Sequence, residues 1–367
     1  MKILQIAPPW LDTPPVGYGG TEAVISNLTE GLIKKGHEVT LFATGNSSTK
    51  GLLKYVHSTS LRDQDIDWTS ALPSYVHYSE AFRYAEIEKM DIIHTHISSV
   101  TDVMIMEMMN RSAIPSLMTI HVHFPCDLFT HTDPLFLKLY GNQLPVVNIS
   151  NTMVEYCPKE FYKAGVVYNG VDTDAFRFDI NKENKNYFTW VGKITKDKGL
   201  YEAILAVKKA NEKLIFAGVM DSGSPENKEY FETKIKSHID NDQIKFLGQA
   251  NFQMKNDLMM NAKAFLNPIK WKEPFGMVTA ESLASATPVI SFANGAASEL
   301  INNNVTGYLI PEDVDAMVEA IKKTDQLNRA ECRKAAVERF STEAIARDYL
   351  KIYEKVIIKN LSNRHSS

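Results

Sequence analysis

Residues 264–292 read AFLNPIKWKEPFGMVTAESLASATPVISF, one strand–helix–strand unit from which the architecture follows. Residues 264–268 form a short apolar run of strand length. A polar loop follows, then helical spacing over 277–286, then a second apolar run at 287–292. A buried strand, a helix and another buried strand in succession form the unit of a parallel sheet covered on both faces.

The same alternation extends outward in both directions. Upstream, residues 187–191, 213–217 and 243–247 read as buried strands, with helical patterns at 200–211 and 226–239 between them. Nearer the N-terminus, residues 2–7, 38–43, 91–94, 116–121 and 145–149 read as strands. Residues 21–35, ended by Gly36, and 75–89 read as helices. The pattern resets across the polar run at 181–186, and the segment Tyr168-Asn169-Gly170-Val171-Asp172 marks the hinge. The chain has 367 residues, which at about 100–200 residues per domain suggests two domains. The reading is therefore two doubly wound α/β domains. In such domains ligands bind beyond the carboxyl ends of the strands.

Composition excludes several classes. Hydrophobic residues make up 44% and charged residues 23%, as in a soluble globular protein. Forty Lys+Arg against forty-four Asp+Glu give a net charge of −4, without the basic excess of a nucleic-acid binder. Cys126, Cys157 and Cys332 are too widely spaced for a disulfide framework or a zinc knuckle. The apolar run after Met1 is too short for a signal peptide, and no stretch approaches the roughly 20 apolar residues of a membrane span. A cytoplasmic, reducing location is the expectation, with the weakly basic amphipathic run at 350–359 as the one stretch compatible with peripheral contact at the membrane inner face.

Four segments at strand ends carry candidate chemistry. Gly17-Tyr18-Gly19-Gly20-Thr21-Glu22 opens a helix, where glycines admit a close ligand and free amides suit an anion; a plain tight turn explains that segment equally well. It lacks the spacing of the dinucleotide fingerprint, and 45–50 lacks the ending of a P-loop. His94-Thr95-His96 and His121-Val122-His123 read as pairs at the ends of neighbouring strands. Alternation along a strand would let them ligate zinc, but without an Asp, Glu or Cys at ligand spacing that is the lesser reading, and polar residues lining a cleft the leading one. Gly192-Lys193-Ile194-Thr195-Lys196-Asp197-Lys198-Gly199 brings two cations to a loop between glycines. By itself it reads as a solvated turn. Finally, Glu273-Pro274-Phe275-Gly276-Met277-Val278-Thr279-Ala280-Glu281 places a proline ahead of a helix whose first amides, from Gly276 to Thr279, are free donors. Its two glutamates exceed what dipole capping needs.

Together these residues resemble the retaining family-4 glycosyltransferases of the GT-B fold. The resemblance rests on the Glu-x7-Glu motif of Glu273 and Glu281, the run 282–290, Gly295, Glu299, Thr306-Gly307-Tyr308-Leu309, the loop 18–22 and the hinge 168–172, and it covers essentially the whole chain. Lys193 departs from the arginine usual at that place, exchanging a bidentate fork for a point charge.

The resemblance implies a GT-B architecture of two Rossmann-like domains facing across a cleft. Residues 1–170 would form the acceptor-side domain, 171–340 the nucleotide-sugar-binding domain, and 341–367 a helix crossing back to the first. Gly19 and Gly20 would present amides to the donor diphosphate, and Lys193 and Lys198 would neutralise it. Phe275, Gly276, Met277 and Val278 would complete the phosphate cradle, while Leu247 and Gly248 border the base. Glu281 would accept hydrogen bonds from ribose hydroxyls. Glu273 would contact the sugar and support its developing cation, and His121 would contact the sugar near the reacting carbon.

The implied reaction moves a hexose, from a UDP-sugar in preference to GDP-mannose, to a glycan or lipid-linked acceptor in surface polysaccharide or glycolipid synthesis. It needs no metal and no cofactor beyond the nucleotide sugar. Aromatic-rich loops at 10–18 and 124–140 would face the acceptor. Two other classes compete: a nucleotide-sugar epimerase of the same fold, and a non-catalytic nucleotide-sugar binder.

Overall fold

In a computed structural model, which describes residues 1–17, 19–123, 133–181, 183, 185–220 and 224–365, the apolar runs form two parallel sheets. The first contains β1 (Lys2–Ile6), β2 (Glu38–Ala43), β3 (Leu52–Tyr55), β4 (Ile92–Ile97), β5 (Ser116–Ile120), β6 (Pro145–Asn148) and β7 (Tyr162–Val166), in the order β3-β2-β1-β4-β5-β6-β7. The second contains β8 (Phe188–Lys193), β9 (Leu214–Val219), β10 (Ile244–Phe246), β11 (Phe265–Asn267), β12 (Val289–Phe292) and β13 (Gly307–Ile310), in the order β10-β9-β8-β11-β12-β13. Every residue of β4, β5 and β12 is buried, as expected where helices cover both faces of a parallel sheet. The chain divides into two units: residues 1–170 with 342–367, and residues 171–341.

Three strands went unread in the sequence, namely β3, β7 and β13, and all lie at sheet edges. An edge strand lacks a neighbour on one side and needs no continuous apolar run. β3 and β7 contain no fully buried residue. The helical pattern at 226–239 also breaks up. A regular helix spans Pro225–Tyr230, a wider turn follows at Phe231–Ile235, and a tighter one at Lys236–His238. β4 runs on to Ile97, so His94 and His96 lie inside a strand and fully buried, not at its end as the sequence pattern suggested.

The C-terminal helix, Thr342–His365, packs on the first unit. Its Ile345, Tyr349, Ile352, Tyr353 and Val356 join Ile3, Leu28, Leu32, Val147 and Val167 in one apolar cluster. Close approach is built in at Gly31 of the first helix, Gly20–Lys34, where a Cβ would lie 2.4 Å from the Thr342 carbonyl oxygen. No helix among the described residues is long and apolar enough to cross a membrane.

Candidate active site

In the second unit the strand order reverses between β8 and β11. That reversal is the switch point at which doubly wound sheets bind ligands. The loops leaving these two strands are locked together. Gly199 sits at φ +70°, and a Cβ there would lie 2.0 Å from the Pro268 carbonyl oxygen. The Lys270 amide donates to the Asp197 carbonyl at 2.8 Å, and the Trp190 indole donates to the Lys198 carbonyl at 3.2 Å.

This locking brings Lys198 and Glu273 into an ion pair whose side chains are 27% and 21% exposed. Trp271 donates its indole N–H to the same Glu273 Oε2 at 3.0 Å, and the Lys198 ammonium lies 4.9 Å from the Trp271 ring centroid. Two candidate residues thus share one cluster. Trp271 belongs to it as well, although the sequence reading did not single it out. Lys193 ends β8, half-buried, in register with Val219.

A third loop fixes Glu273 from behind. Gly295, at φ +55°, lies where a Cβ would meet the Glu273 nitrogen at 2.3 Å, and the Ala296 amide donates to the Glu273 carbonyl at 3.0 Å. Gly248 has a similar backbone, φ +76°, but nothing within 4 Å of a Cβ. Alanine at either position takes on left-handed strain of about 1–2 kcal/mol. Only Gly295→Ala adds a backbone collision, so it is expected to lower Tm further than Gly248→Ala and to displace Glu273. Thermal unfolding of the two variants side by side checks this, and equal losses would refute the steric account.

Glu281 lies in the helix Met277–Ala284, capped by Gly276 at φ +96°. One of its carboxylate oxygens, Oε1, pairs with Lys255 at 2.5 Å. The other, Oε2, is buried with no hydrogen-bond partner. Lys255 was not foreseen. It comes from the helix Phe252–Met260, whose Asn251 cap accepts from the Met254 amide at 2.8 Å. A largely buried glutamate calls for a countercharge, but sequence alone does not say which lysine supplies it. The expectation of free amides through Thr279 needs correction, because the Thr279 amide donates to the Gly276 carbonyl at 3.0 Å. The amides of Met277 and Val278 make no intrachain bond among the described residues, as expected in a first helical turn.

Leu247 and Gly248 follow β10. The Leu247 amide donates to the Phe216 carbonyl at 2.9 Å, and the Gly248 carbonyl accepts from the Gly218 amide at 2.9 Å. Leu247 also lines a surface recess of about 510 Å³ with Tyr187, Lys245, Asn251 and Met254, which includes none of Lys193, Lys198, Glu273 or Glu281.

The first unit has its own switch point between β1 and β4. The loop after β1 leads to Gly19 and Gly20. A Cβ on Gly19 would strike Pro15 at 2.5 Å, whereas the space beside Gly20 is open. Glu22, buried in the first turn of the helix, turns its carboxyl back toward Gly19. Burial pushes its pKa up to about 7, with the Asp102 charge adding to the rise. Tyr18, and residues 124–132 of the aromatic loop at 124–140, lie outside the described residues.

His121 follows β5, its amide held by the Ile97 carbonyl at 3.0 Å. Its Nε2 lies 2.9 Å from His96 Nδ1, and its own Nδ1 is buried with no hydrogen-bond partner. Burial lowers its pKa to about 3, and burial likewise holds those of His94 and His96 well below the usual imidazole range. His94 spends both ring nitrogens on Tyr353 and Thr119, each at 2.8 Å. His123 stands apart, edge-on to Tyr156 with ring centroids 4.7 Å apart. The four histidines therefore do not converge on a point, and among the described residues no three His, Cys, Asp or Glu side chains are grouped to hold a metal.

Comparison with known proteins agrees in both halves of the chain. Residues 18–175 match the family model described as Glycosyltransferase Family 4, and residues 172–339 match that described as Glycosyl transferases group 1. An uncharacterized glycosyltransferase of Methanocaldococcus jannaschii is 23% identical, covering 96% of this chain and 98% of its own. Among solved structures, a sucrose-phosphate synthase from Thermosynechococcus elongatus superposes with a TM-score of 0.75 at 19% identity, covering 98% of this chain and 99% of that one. The Anabaena protein HepE in complex with UDP-glucose gives a TM-score of 0.65 at 18% identity, covering 99% of this chain and 100% of that one. The two tandem matches, on two doubly wound sheets each with its own switch point, make this chain a member of the group 1, family 4 glycosyltransferases, with the two Rossmann-like domains of the GT-B fold.

Proposed function

We propose that the protein transfers a hexose from a UDP-sugar to a glycan or lipid-linked acceptor, retaining the anomeric configuration and using no metal. The carrying observation is the Lys198–Glu273–Trp271 cluster at the switch point of the second unit. A cation there faces the charge of a departing diphosphate, and a carboxylate supports the cationic sugar ring that its departure leaves. In the transfer, the bond between the sugar C1 and the β-phosphate oxygen breaks, with its electron pair going to phosphate. The acceptor oxygen bonds to C1 on the same face, and the acceptor proton passes to the departing phosphate.

Lys193 and Lys198, with the amides of Met277 and Val278, stabilise the diphosphate as its charge grows, the work that preorganised donors do best. Glu281 offers its unpaired, buried oxygen to a ribose hydroxyl. In the first unit, Gly19 and Gly20 serve the diphosphate by their amides, and His121 serves the sugar. The preference for uridine rests on the family and on the UDP-glucose held by the Anabaena relative. A cytoplasmic location belongs to the same reading, and peripheral membrane contact through residues 350–359 would fall to their lysines, because Ile352, Tyr353 and Val356 are buried against the first unit.

Thermal-shift screening of nucleotide sugars, followed by an assay of nucleotide release, tests the proposal. A UDP-sugar is expected to stabilise the protein, and UDP to appear one-for-one with glycosylated acceptor. A Lewis-acid metal is worth several kcal/mol to a reaction that depends on it, so activity within about twofold of control in excess chelator is expected. Loss restored by magnesium or manganese would overturn metal independence. Interconversion of donors without an acceptor would mean an epimerase, and binding without turnover a binder.

A further inference from the structure

We infer that His96 and Gln5 are positioning residues for His121: they fix its ring as a neutral imidazole protonated on Nε2, so that Nδ1 offers a lone pair to a hydroxyl of the donor sugar. The inference rests on the reading of His121 as the sugar-contacting histidine.

Seven buried side chains form one hydrogen-bonded chain through the first unit. From its free end, His121 Nε2 lies 2.9 Å from His96 Nδ1, and His96 Nε2 lies 3.0 Å from Gln5 Oε1. Gln5 Nε2 donates to Tyr353 at 2.8 Å, and the Tyr353 hydroxyl lies 2.8 Å from His94 Nδ1. His94 Nε2 lies 2.8 Å from the Thr119 hydroxyl, which lies 2.9 Å from that of Tyr349. The side chains come from β1, β4, β5, the residue after β5 and the C-terminal helix, and none is more than 8% exposed.

The polarity of this chain follows from donor and acceptor chemistry. Gln5 spends its N–H on Tyr353 and turns its carbonyl to His96, so His96 donates from Nε2. A neutral imidazole has one N–H, and His96 Nδ1 is therefore an acceptor. His121 must then donate from Nε2, which leaves its Nδ1 deprotonated. Burial of the three rings keeps them neutral, in line with their lowered pKa values. The Gln5 amide sets the direction, because turning it over would reverse every bond and place the proton on His121 Nδ1.

A polar network in a core is costly unless satisfied, and an apolar core would pack as well. Here each ring nitrogen is paired except His121 Nδ1, which is buried and waits for a partner. A neutral acceptor suits that place. It holds a sugar hydroxyl in orientation, and unlike an imidazolium it does not repel the positive charge that develops on the ring. His96 and Gln5 do not touch the sugar in this account. They act through His121.

Long-range ¹H–¹⁵N correlation spectra of the free full-length protein, selectively labelled at histidine, read the tautomer without substrate. His121 protonated at Nε2 is expected. A proton on Nδ1, or a charged ring at neutral pH, would overturn the inference whatever the kinetics show. Outer hydrogen-bond partners of metal-ligating histidines are worth roughly 10- to 100-fold, and the same order is taken for a histidine that orients a sugar hydroxyl. A fall of that size in kcat is expected for His96→Leu, with donor KM nearly unchanged and the tautomer no longer held on Nε2. His96→Asn, which keeps an amide near the lost Nδ1, should recover part of kcat. Unchanged kcat and tautomer in folded His96→Leu would sink the positioning role while leaving the transfer reading intact. Absence of transfer with every nucleotide sugar would sink that reading and leave the wild-type tautomer result standing.

Discussion

Lys198→Ala and Glu273→Ala are each expected to lower kcat by on the order of 10²–10³, the usual cost of deleting one preorganised electrostatic stabiliser. On the proposed reading both residues act where charge develops, Lys198 on the departing diphosphate and Glu273 on the sugar ring. Their loss should therefore fall on turnover more than on donor KM. Because the two side chains are paired, removing one leaves the other exposed to a changed field. The double variant should be less damaged than the product of the singles predicts.

Glu281→Ala is the contrast. Its second carboxylate oxygen is buried without a partner, and on the proposed reading it accepts from a ribose hydroxyl whose hydrogen bond changes little during transfer. A hydrogen bond to a charged group is worth about 1.5–3 kcal/mol, or roughly 10- to 150-fold, and here it should appear in donor KM. Lys255→Ala should move KM in the same direction, since Lys255 holds Glu281 in place. Steady-state kinetics on the four single variants, each checked for folding by circular dichroism, decide the matter. Turnover lost in Glu281→Ala with only KM changed in Glu273→Ala would reverse the roles. Normal kinetics in both would make the Glu-x7-Glu segment a structural cap.

Acid is expected to unfold the first unit well before the second. His77, His94, His96 and His121 are all buried there, and burial lowers every one of their pKa values, those of His77 and His121 to about 3. In the unfolded chain each takes up a proton near pH 6.5, whereas in the native unit each stays neutral. The unfolded state thus binds more protons below pH 6.5, and stability is full above that value and lost as pH falls toward 3. Four such groups remove roughly 5 kcal/mol per pH unit, comparable to the whole stability of a domain.

Glu22 opposes this trend. Its folded pKa is raised to about 7, so its contribution falls as pH rises from 4.5 to 7. Asp102, whose pKa burial also raises, acts in the same sense, and two carboxyls do not offset four imidazoles. The described part of the second unit has a single histidine, His238, which is half-buried; its pKa is lowered too, but one such group stands against four fully buried ones. Hydrogen exchange resolved by peptide at pH 7 and pH 5 should show protection lost from β1, β4 and β5 while β8 and β11 keep theirs. Equal protection of both units at pH 5 would show that the imidazoles are not held neutral by burial.

Much of this was legible in the linear chain. Central strands of a parallel sheet are buried on both faces, so β1, β2, β8, β11 and β12 announce themselves as apolar runs. Edge strands β3 and β7 contain no fully buried residue and do not. Glu273, Glu281, Lys193 and Lys198 could be found because loops at strand ends are short and carry their chemistry within a few residues of the strand. The partners of those residues could not be found. Lys255 lies 26 positions from Glu281, and the Gln5–Tyr353 bond spans 348. Nothing local distinguishes the lysine that neutralises a buried carboxylate from one that points to water, and nothing local says that a histidine inside β4 will lie 2.9 Å from the one that follows β5. The alternation of strands and helices, and hence which residues stand at strand ends, is written locally in the chain. Tertiary structure alone decided which of them meet, because a buried charge or ring nitrogen must find its partner wherever the folded chain brings one within 3 Å, however distant in sequence.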